Sequence, residues 1–164
     1  MDFLTIVCPL LEHIASELRE FPQFVCWHEE VRDGKLTKRP LNPATRQPAS
    51  VIEPGTWGTA ELAVEVAQRF SPRVGVGFVF TREDPFTGID LDGCVDPDTG
   101  EISQRAAEIV ALLDSYTEIS PSGTGLHIIV RGKPKVERQR VGKVEIYGWG
   151  HYLTLTGRRL DGVR

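Results

Sequence analysis

The sequence has few cysteines and no long apolar run. Cys8, Cys26 and Cys94 are an odd number of thiols at spacings that fit no zinc motif, so we expect reduced core cysteines rather than disulfides or a structural metal. No apolar stretch approaches the roughly 18 residues needed to cross a bilayer. The start, MDFLTIVCPLLEHIASEL, carries acids where a signal peptide requires bases. We therefore expect a cytoplasmic protein with no membrane contact.

The chain also lacks an overall excess of basic residues. Its 19 Lys and Arg against 23 Asp and Glu give a formal net charge of -4, which argues against binding nucleic acid by bulk attraction. The bases are nonetheless clustered in the stretch RGKPKVERQRVGK, residues 131–143, and in a smaller group formed by Lys35, Lys38 and Arg39. A charge run is most often a solvated loop. Two basic stretches in an acidic chain still indicate local sites for phosphate.

Length and patterning predict one domain, residues 1–164, of the α+β class. With 40% hydrophobic and 26% charged residues the chain can bury a core. Many short strands joined by hairpin-length turns favour α+β over a doubly wound parallel sheet. The patterns predict helices over 9–20, 58–70 and 103–114, a hairpin around Asp33-Gly34, and strands over 74–80, 87–91, 116–120, 126–131, 143–147 and 151–156.

The stretch GIDLDGC places two aspartates inside an apolar run. Side chains two positions apart on a strand share a face, so Asp90 and Asp92 point the same way while Ile89 and Leu91 pack behind them. Two such carboxylates can converge on one or two hard cations, and Glu145 in KVEIY is a candidate third ligand from a neighbouring strand. The alternatives are a strand end that reaches solvent and a salt-bridged pair.

A second candidate site is the glycine-containing segment SPSGTGLHIIV, residues 120–130. Gly123 and Gly125 allow the backbone to approach an anion and present N–H groups to it, and Ser122 adds a hydroxyl donor. His127 can donate to a phosphate oxygen, although a histidine at the start of a strand is more commonly structural. The segment is not a P-loop, because neither GKS nor GKT follows the glycines.

These motifs together resemble the three signature motifs of the archaeo-eukaryotic primase superfamily. The strings FVCWHEE, TKRPLNP, ASVIEPGTWGT, GVGFVFTREDPFTGIDLDG, SYTEISPSGTGLHIIVRGK and KVEIY followed by HYLTLTG are similar to the bifunctional primase-polymerase domain of phage and plasmid replication proteins. The resemblance runs from about Phe24 to Gly157. It implies a core related to the RNA-recognition-motif fold over about 81–157, with a mixed or antiparallel sheet, and a smaller N-terminal α/β lobe over about 1–80.

The resemblance implies an enzyme that initiates or extends DNA chains from nucleoside triphosphates. Asp90, Asp92 and Glu145 would then be the catalytic residues and would hold two Mg²⁺ or Mn²⁺ ions. His127 would bind the incoming triphosphate. The phosphate-facing loop would be formed by Ser122, Gly123 and Gly125.

Two further residues near the third motif are predicted to contact the nucleotide. Tyr147 lies two residues after Glu145, on the same strand face, and could press on the sugar as a steric gate against a 2′-hydroxyl. His151 stands where relatives of this family usually have an Arg, so a permanent cation is replaced by a group that is near neutral at pH 7. We therefore predict tighter nucleotide binding at pH 6 than at pH 8.

Template contacts are predicted for Lys38 and Arg39 in TKRP, together with the loop over 131–143, because backbone phosphates require charge more than fixed geometry. The expected partners are DNA template-primer and nucleoside triphosphates in a bacterial or archaeal host cell. The chain ends shortly after TLTG, so we expect a fragment of a longer replication protein that adds a helicase and a helical priming domain.

Two other classes of function stay open at the level of sequence. A two-metal nuclease or replication initiator would share the carboxylates, although the lack of an HxH or HUH pair argues against a relaxase. A non-catalytic module could bind nucleotide or single-stranded DNA through the same loop.

Overall fold

The computed structural model describes residues 2–163, and within them nine strands form two antiparallel sheets with few helices. This arrangement confirms the predicted α+β class. The strands are β1 Phe24–Arg32, β2 Lys35–Leu41, β3 Gly75–Phe80, β4 Phe86–Leu91, β5 Thr117–Ile119, β6 Leu126–Arg131, β7 Arg138–Val141, β8 Val144–Tyr147 and β9 His151–Leu155. The α-helices are α1 Ser16–Arg19, α2 Ala60–Arg69 and α3 Gln104–Leu113, and 3-10 turns cover Leu11–His13 and Pro54–Thr56.

The first sheet has the strand order β2-β1-β3-β9. The hairpin between β1 and β2 turns at Asp33 and Gly34, which have the positive φ angles of 50° and 75° expected for an Asp-Gly turn. One face of this sheet packs on α2, where Phe24 and Phe78 stack edge-to-face with ring centroids 5.2 Å apart. The last strand of the sheet, β9, comes from the C-terminal part of the chain, so the first sheet is not built from residues 1–80 alone.

The second sheet has the order β5-β6-β4-β8-β7, and each neighbouring pair is antiparallel. Ile89 and Leu91 of β4 belong to an apolar cluster with Val110 of α3, so α3 covers the face to which these odd-numbered β4 residues point. Asp90, between them in sequence, therefore points to the opposite face. This alternation places the acidic side chain on the side of the sheet that α3 leaves uncovered.

The turn REDP, residues 82–85, joins β3 to β4 but does not make a hairpin of them, because the two strands belong to different sheets. Asp84 holds the turn by accepting hydrogen bonds from the backbone N–H of Thr81 at 2.6 Å and of Phe86 at 2.8 Å. Its carboxylate is fully buried and its charge is balanced by Lys133, whose Nζ lies 3.0 Å from Oδ1. Asp84 thus fixes the turn through which the chain passes from the first sheet to the second, immediately before the acidic motif.

The predicted helix over 9–20 is replaced by a 3-10 turn and the four-residue helix α1. Between them Ile14 is extended and Ala15 is not helical, with ψ angles of 132° and 129°. This break buries both Ile14 and Leu18 in the core of the first sheet, so tertiary packing overrides helix propensity here. Strand β7 was not predicted at all, because the basic stretch carries no alternation of apolar residues. Among the described residues no helix is both long and apolar enough to cross a bilayer.

Candidate active site

A row of polar side chains crosses the second sheet on the face that α3 leaves uncovered. Asp90 stands directly opposite His127 of β6 on one side and opposite Glu145 of β8 on the other. Glu118 of β5 stands opposite His127, and Arg140 of β7 stands opposite Glu145. Directly opposed residues of antiparallel strands project to the same face. The fold therefore brings together three residues that are distant in sequence and that the motifs single out.

Asp90 lies near the middle of this row, and its neighbours act on its charge in opposite directions. Burial raises the pKa of its carboxyl group, as do the negative charges of Asp92 and Glu145, while His127 and Lys38 lower it. The net effect is a pKa above the ordinary value. Asp90 thus carries a charge that the fold stabilises poorly without further cations.

Asp92 follows the end of β4 by one residue and reaches the rim of the row. Its backbone N–H donates to the carbonyl of Lys143 at 3.0 Å, which continues the pairing of β4 with the β7–β8 hairpin. Its side chain is 52% exposed, and the closest cation is Arg140, whose Nη2 lies 3.8 Å from Oδ2. Asp92 is therefore the most accessible carboxylate of the three.

Glu145 is held by four hydrogen bonds. Its Oε2 accepts from Nε and Nη2 of Arg138 at 3.1 and 2.7 Å and from the hydroxyl of Tyr147 at 2.7 Å, and its Oε1 accepts from Nη1 of Arg140 at 2.6 Å. Burial raises the pKa of Glu145, but the hydrogen bonds from Tyr147 and Arg138 and the two arginine charges outweigh it and keep the pKa below its usual value. Glu145 is a stable carboxylate that accepts a hydrogen bond from an arginine at each oxygen.

His127 is buried and its ring is fixed in one orientation. Its Nδ1 lies 2.8 Å from the backbone carbonyl oxygen of Thr154, and since a carbonyl only accepts, Nδ1 carries the hydrogen. Nε2 then faces Oδ1 of Asp90 at 3.5 Å. A neutral ring in this tautomer offers a lone pair at Nε2, so donation to a phosphate oxygen requires the doubly protonated ring.

Glu118, which the sequence analysis missed, supports this histidine from behind. Its carboxylate is fully buried and accepts hydrogen bonds from the hydroxyl of Tyr116 at 2.7 Å and from the backbone N–H of Thr156 at 2.8 Å and Gly157 at 3.0 Å. Its Oε1 also lies 3.8 Å from Nδ1 of His127. Glu118 and His127 thus both join the second sheet to the end of β9. The signal available in the sequence was a charged residue at the centre of the very short strand Thr117–Ile119.

The loop that contains Ser122, Gly123 and Gly125 lies beside the acidic motif. A Cβ on Gly125 would stand 2.6 Å from the backbone oxygen of Leu91, so the close approach of the loop to β4 requires glycine whether or not a phosphate binds. Gly123 has the positive φ of 79°. The hydroxyl of Ser122 lies 3.1 Å from that of Ser120 and 2.9 Å from that of Thr124. The loop therefore presents a chain of hydroxyls at the edge of the row.

Tyr147 and His151 are neighbours at the other end of the site. Their ring centroids are 5.1 Å apart with an interplanar angle of 33°. The hydroxyl of Tyr147 donates to Glu145, so both residues lie on one face of β8, as the spacing predicts. Burial lowers the pKa of His151, and the adjacent charge of Arg138 lowers it further. His151 is therefore neutral at pH 7.

The two basic residues of TKRP point to opposite faces of β2. Lys38 belongs to the face that looks toward the acidic row: burial lowers the pKa of its ammonium, while the charges of Asp90, Glu29 and Asp92 act to raise it. Arg39 is on the other face, where its Nη1 lies 2.7 Å from Oε1 of Glu30. The structure therefore brings only Lys38 near the other candidate site residues.

The three carboxylates fit a site for divalent ions in chemistry and register but are not gathered around one point. Asp90, Asp92 and Glu145 supply the oxygen ligands that Mg²⁺ and Mn²⁺ prefer. Asp90 and Glu145 are opposed on one sheet face, and Asp92 lies in the turn directly after β4. Among residues 2–163, however, no three acidic, histidine or cysteine side chains are close enough to hold an ion as they stand. At Glu145 the obstacle to metal binding is the pair of arginines, because Arg138 and Arg140 each form an ion pair with its carboxylate.

Comparison with known proteins identifies a relative in a phage. No family model matches the chain. The chain is 38% identical over 151 residues to a protein named DNA Primase-polymerase from Nitratiruptor phage NrS-1. The match covers 88% of this chain, which spans only 20% of the relative's length. On this similarity, and as its motifs predict, the chain belongs to the family of primase-polymerase domains.

Proposed function

We propose that this domain is a template-dependent nucleotidyltransferase that adds dNTPs, with NTPs as the alternative substrate, to a 3′-hydroxyl on DNA. The observation that carries the proposal is the register that sets Asp90 between His127 and Glu145 on one sheet face. The relative's name supports the same activity. The proposed setting is a longer phage or plasmid replication protein, with a helicase and a helical priming domain, in the cytoplasm of a bacterial or archaeal cell.

In this proposal each residue has a defined task. Asp90, Asp92 and Glu145 would hold two Mg²⁺ or Mn²⁺ ions, which when bound activate the 3′-hydroxyl and neutralise the leaving pyrophosphate. His127, fixed by its bond to the Thr154 carbonyl, would donate from Nε2 to the triphosphate in the doubly protonated form of the ring. The hydroxyls and N–H groups of the loop over 120–125 would orient the phosphates. We also propose that residues from about 81 to 157 form the core of an archaeo-eukaryotic primase.

Tyr147, His151, Lys38 and Arg39 complete the proposed site. Tyr147 would limit the space beside the sugar, and His151 would lie close to the nucleotide through its contact with Tyr147. Lys38 would face nucleotide or template phosphates, because it lies in the field of the acidic motif. Arg39 would contact template outside the site, after leaving its half-buried ion pair with Glu30.

A labelled primer-template incubated with Mg²⁺ or Mn²⁺ and dNTPs tests the proposal. Elongation of the primer supports a polymerase, and shortening of the primer would instead identify a two-metal nuclease. A second reaction without annealed primer tests whether the domain initiates chains unaided.

A non-catalytic module that binds nucleotide or single-stranded DNA is the second candidate. It is favoured by one observation, the occupation of Glu145 by Arg138 and Arg140. Substituting Asp90 and Asp92 by Ala separates the two candidates, since a binding module would keep its affinity for DNA and would have no extension activity to lose.

A further inference from the structure

Arg138 and Arg140 of β7 shield Glu145, a candidate metal ligand, from divalent ions. A carboxylate offers about four acceptor positions, and Arg138, Arg140 and Tyr147 donate four hydrogen bonds to Glu145. The side chain of Glu145 is only 7% exposed. Oε2 accepts three of these four hydrogen bonds and Oε1 accepts one, so each oxygen has an arginine guanidinium against it. A divalent ion at either oxygen would be repelled by that guanidinium, so coordination of Glu145 favours the departure of at least one arginine.

The same arginines are placed so that they can leave. They lie on β7, an edge strand of the second sheet whose four residues are all exposed. Within residues 2–163 this strand pairs only with β8. The side chains of Arg138 and Arg140 are 48% and 53% exposed. Apart from Glu145, Arg138 contacts the ring of Tyr147, with its guanidinium 5.8 Å from the centroid. Arg140 donates to the carbonyl of Gly142, and its Nη2 lies 3.8 Å from Oδ2 of Asp92. Because Asp92 is itself a candidate metal ligand, an ion bound there would compete for this contact as well.

A phosphate is the chemical group that would replace the carboxylate. A guanidinium pairs with a phosphate in the same bidentate geometry that it uses with a carboxylate. Divalent ions brought to Asp90, Asp92 and Glu145 would repel the two arginines, while every substrate of the proposed reaction carries phosphates. The released arginines would thus meet an anion at the rim of the same site.

We propose that Arg138 and Arg140 form a phosphate-binding site that is closed by Glu145 in the metal-free protein and opened when divalent ions take Glu145. The inference rests on the proposed function, because it assumes that Glu145 becomes a metal ligand. It makes metal and phosphate ligands mutually reinforcing, since each shifts the arginines in the same direction. The phosphate belongs either to the incoming dNTP or to the DNA backbone.

The test compares Arg138→Gln/Arg140→Gln with the charge-matched control Arg69→Gln/Arg73→Gln. Arg69 forms an exposed ion pair with Glu65 on α2, and Arg73 is exposed after that helix. Mn²⁺ binding without substrate is followed by electron paramagnetic resonance of free Mn²⁺. Affinities for a dNTP and for a short primer-template are measured separately in Mn²⁺ and in EDTA, and the ligand whose affinity falls identifies the source of the phosphate.

The β7 variant should bind Mn²⁺ more tightly than wild type, by a factor within the roughly 5- to 150-fold range of site-to-site coupling, because the competing arginines are gone. It should also lose affinity for one phosphate ligand in Mn²⁺. The control should change neither quantity. Equal Mn²⁺ affinity of the β7 variant and the control would overturn the inference, and so would undiminished affinity for both phosphate ligands.

A second variant, Glu145→Gln, tests the inference even if the β7 variant fails to fold. It removes the carboxylate that holds the arginines, so it should bind the phosphate ligand in EDTA more tightly than wild type does, and weaker or equal binding would contradict the inference. Suppose that wild type binds Mn²⁺ and that Asp90→Asn abolishes this binding. If the β7 variant then behaves like the control, only this inference fails. If wild type binds no Mn²⁺ at all, the proposed function fails with it.

Discussion

Asp90 and Glu145 stand directly opposite each other in the antiparallel pair of β4 and β8, and His127 stands opposite Asp90 on the other side. Hydrogen-bond register, rather than proximity in sequence, thus assembles the candidate site. A shift of one residue in β8 would turn Glu145 to the face that packs on α3. The chemistry of the site therefore depends on the pairing of three short strands.

Replacing Asp90 by Asn should abolish activity and stabilise the fold. Burial and the neighbouring acids raise the pKa of Asp90, so its charge costs stability at neutral pH and a neutral amide relieves that cost. Because the folded-state pKa is raised, this cost is present at neutral pH and disappears as the pH falls through the folded pKa. We expect a higher Tm at pH 7 and extension reduced more than about 100-fold, since several kcal/mol of charge stabilisation are lost.

Asp92→Asn is the matched control for that experiment. Its side chain is half exposed, so the same loss of activity should come without the gain in Tm. An Asp90→Asn protein that melts at or below the wild-type temperature would contradict the account of its burial.

Glu118→Gln should lower stability by about 1–3 kcal/mol, the cost of an unpaired buried donor. An amide supplies one acceptor oxygen where the carboxylate now receives donors at both oxygens, from Thr156 on Oε1 and from Tyr116 and Gly157 on Oε2. Denaturant unfolding measures the loss. If Glu118 also positions His127, KM for dNTP should rise at a temperature where the variant is fully folded. Unchanged KM there would leave Glu118 a purely structural residue.

Nucleotide affinity should rise only below about pH 6.5, the ordinary pKa of histidine, if His151 contacts the triphosphate. Burial and Arg138 lower the pKa of His151, so the ring stays neutral from pH 8 to 7 and becomes a cation only below about pH 6.5. The difference between wild type and His151→Gln isolates this residue from other titrating groups. Identical pH profiles for the two proteins would exclude the contact, and His151→Arg should bind more tightly with no pH dependence from this position.

Tyr147 offers a test of sugar discrimination with an internal control. Tyr147→Ala removes the ring and should increase incorporation of NTPs relative to dNTPs, because space opens beside the sugar. Tyr147→Phe keeps the ring and loses only the hydrogen bond to Glu145, so it should discriminate as wild type does. Equal discrimination by all three proteins would show that Tyr147 is not a steric gate.

Much of the fold was predictable because local signals agree with the tertiary structure. Asp33-Gly34 predicted the first hairpin, and short apolar or alternating runs predicted β4, β6, β8 and β9. The segment before α1 was not predictable, since the burial of Ile14 and Leu18 under the first sheet decides its conformation. Strand β7 was missed because its four residues are exposed and its pairing with β8 supplies the order.

The sequence named candidate site residues but not their contacts. Spacing predicts Asp90 and Asp92 on one strand face, whereas β4 ends at Leu91 and Asp92 lies in the turn after it. Tyr147 contacts Glu145, as the spacing predicts. No sequence pattern could show that Arg138 and Arg140 hold Glu145, since that contact follows from the register of β7 with β8. The role of Glu118 was not predictable for a similar reason, because two of its hydrogen-bond donors, Thr156 and Gly157, lie 38 and 39 residues away after β9.

The central claim is tested most directly by single-nucleotide addition to a primer-template with one defined templating base. Each dNTP is supplied alone with Mn²⁺ or Mg²⁺. The account predicts that the wild-type domain adds the complementary nucleotide, that EDTA prevents addition, and that Asp90→Asn adds none. Addition by Asp90→Asn at the wild-type rate, or no addition by the wild-type domain under any of these conditions, would contradict it.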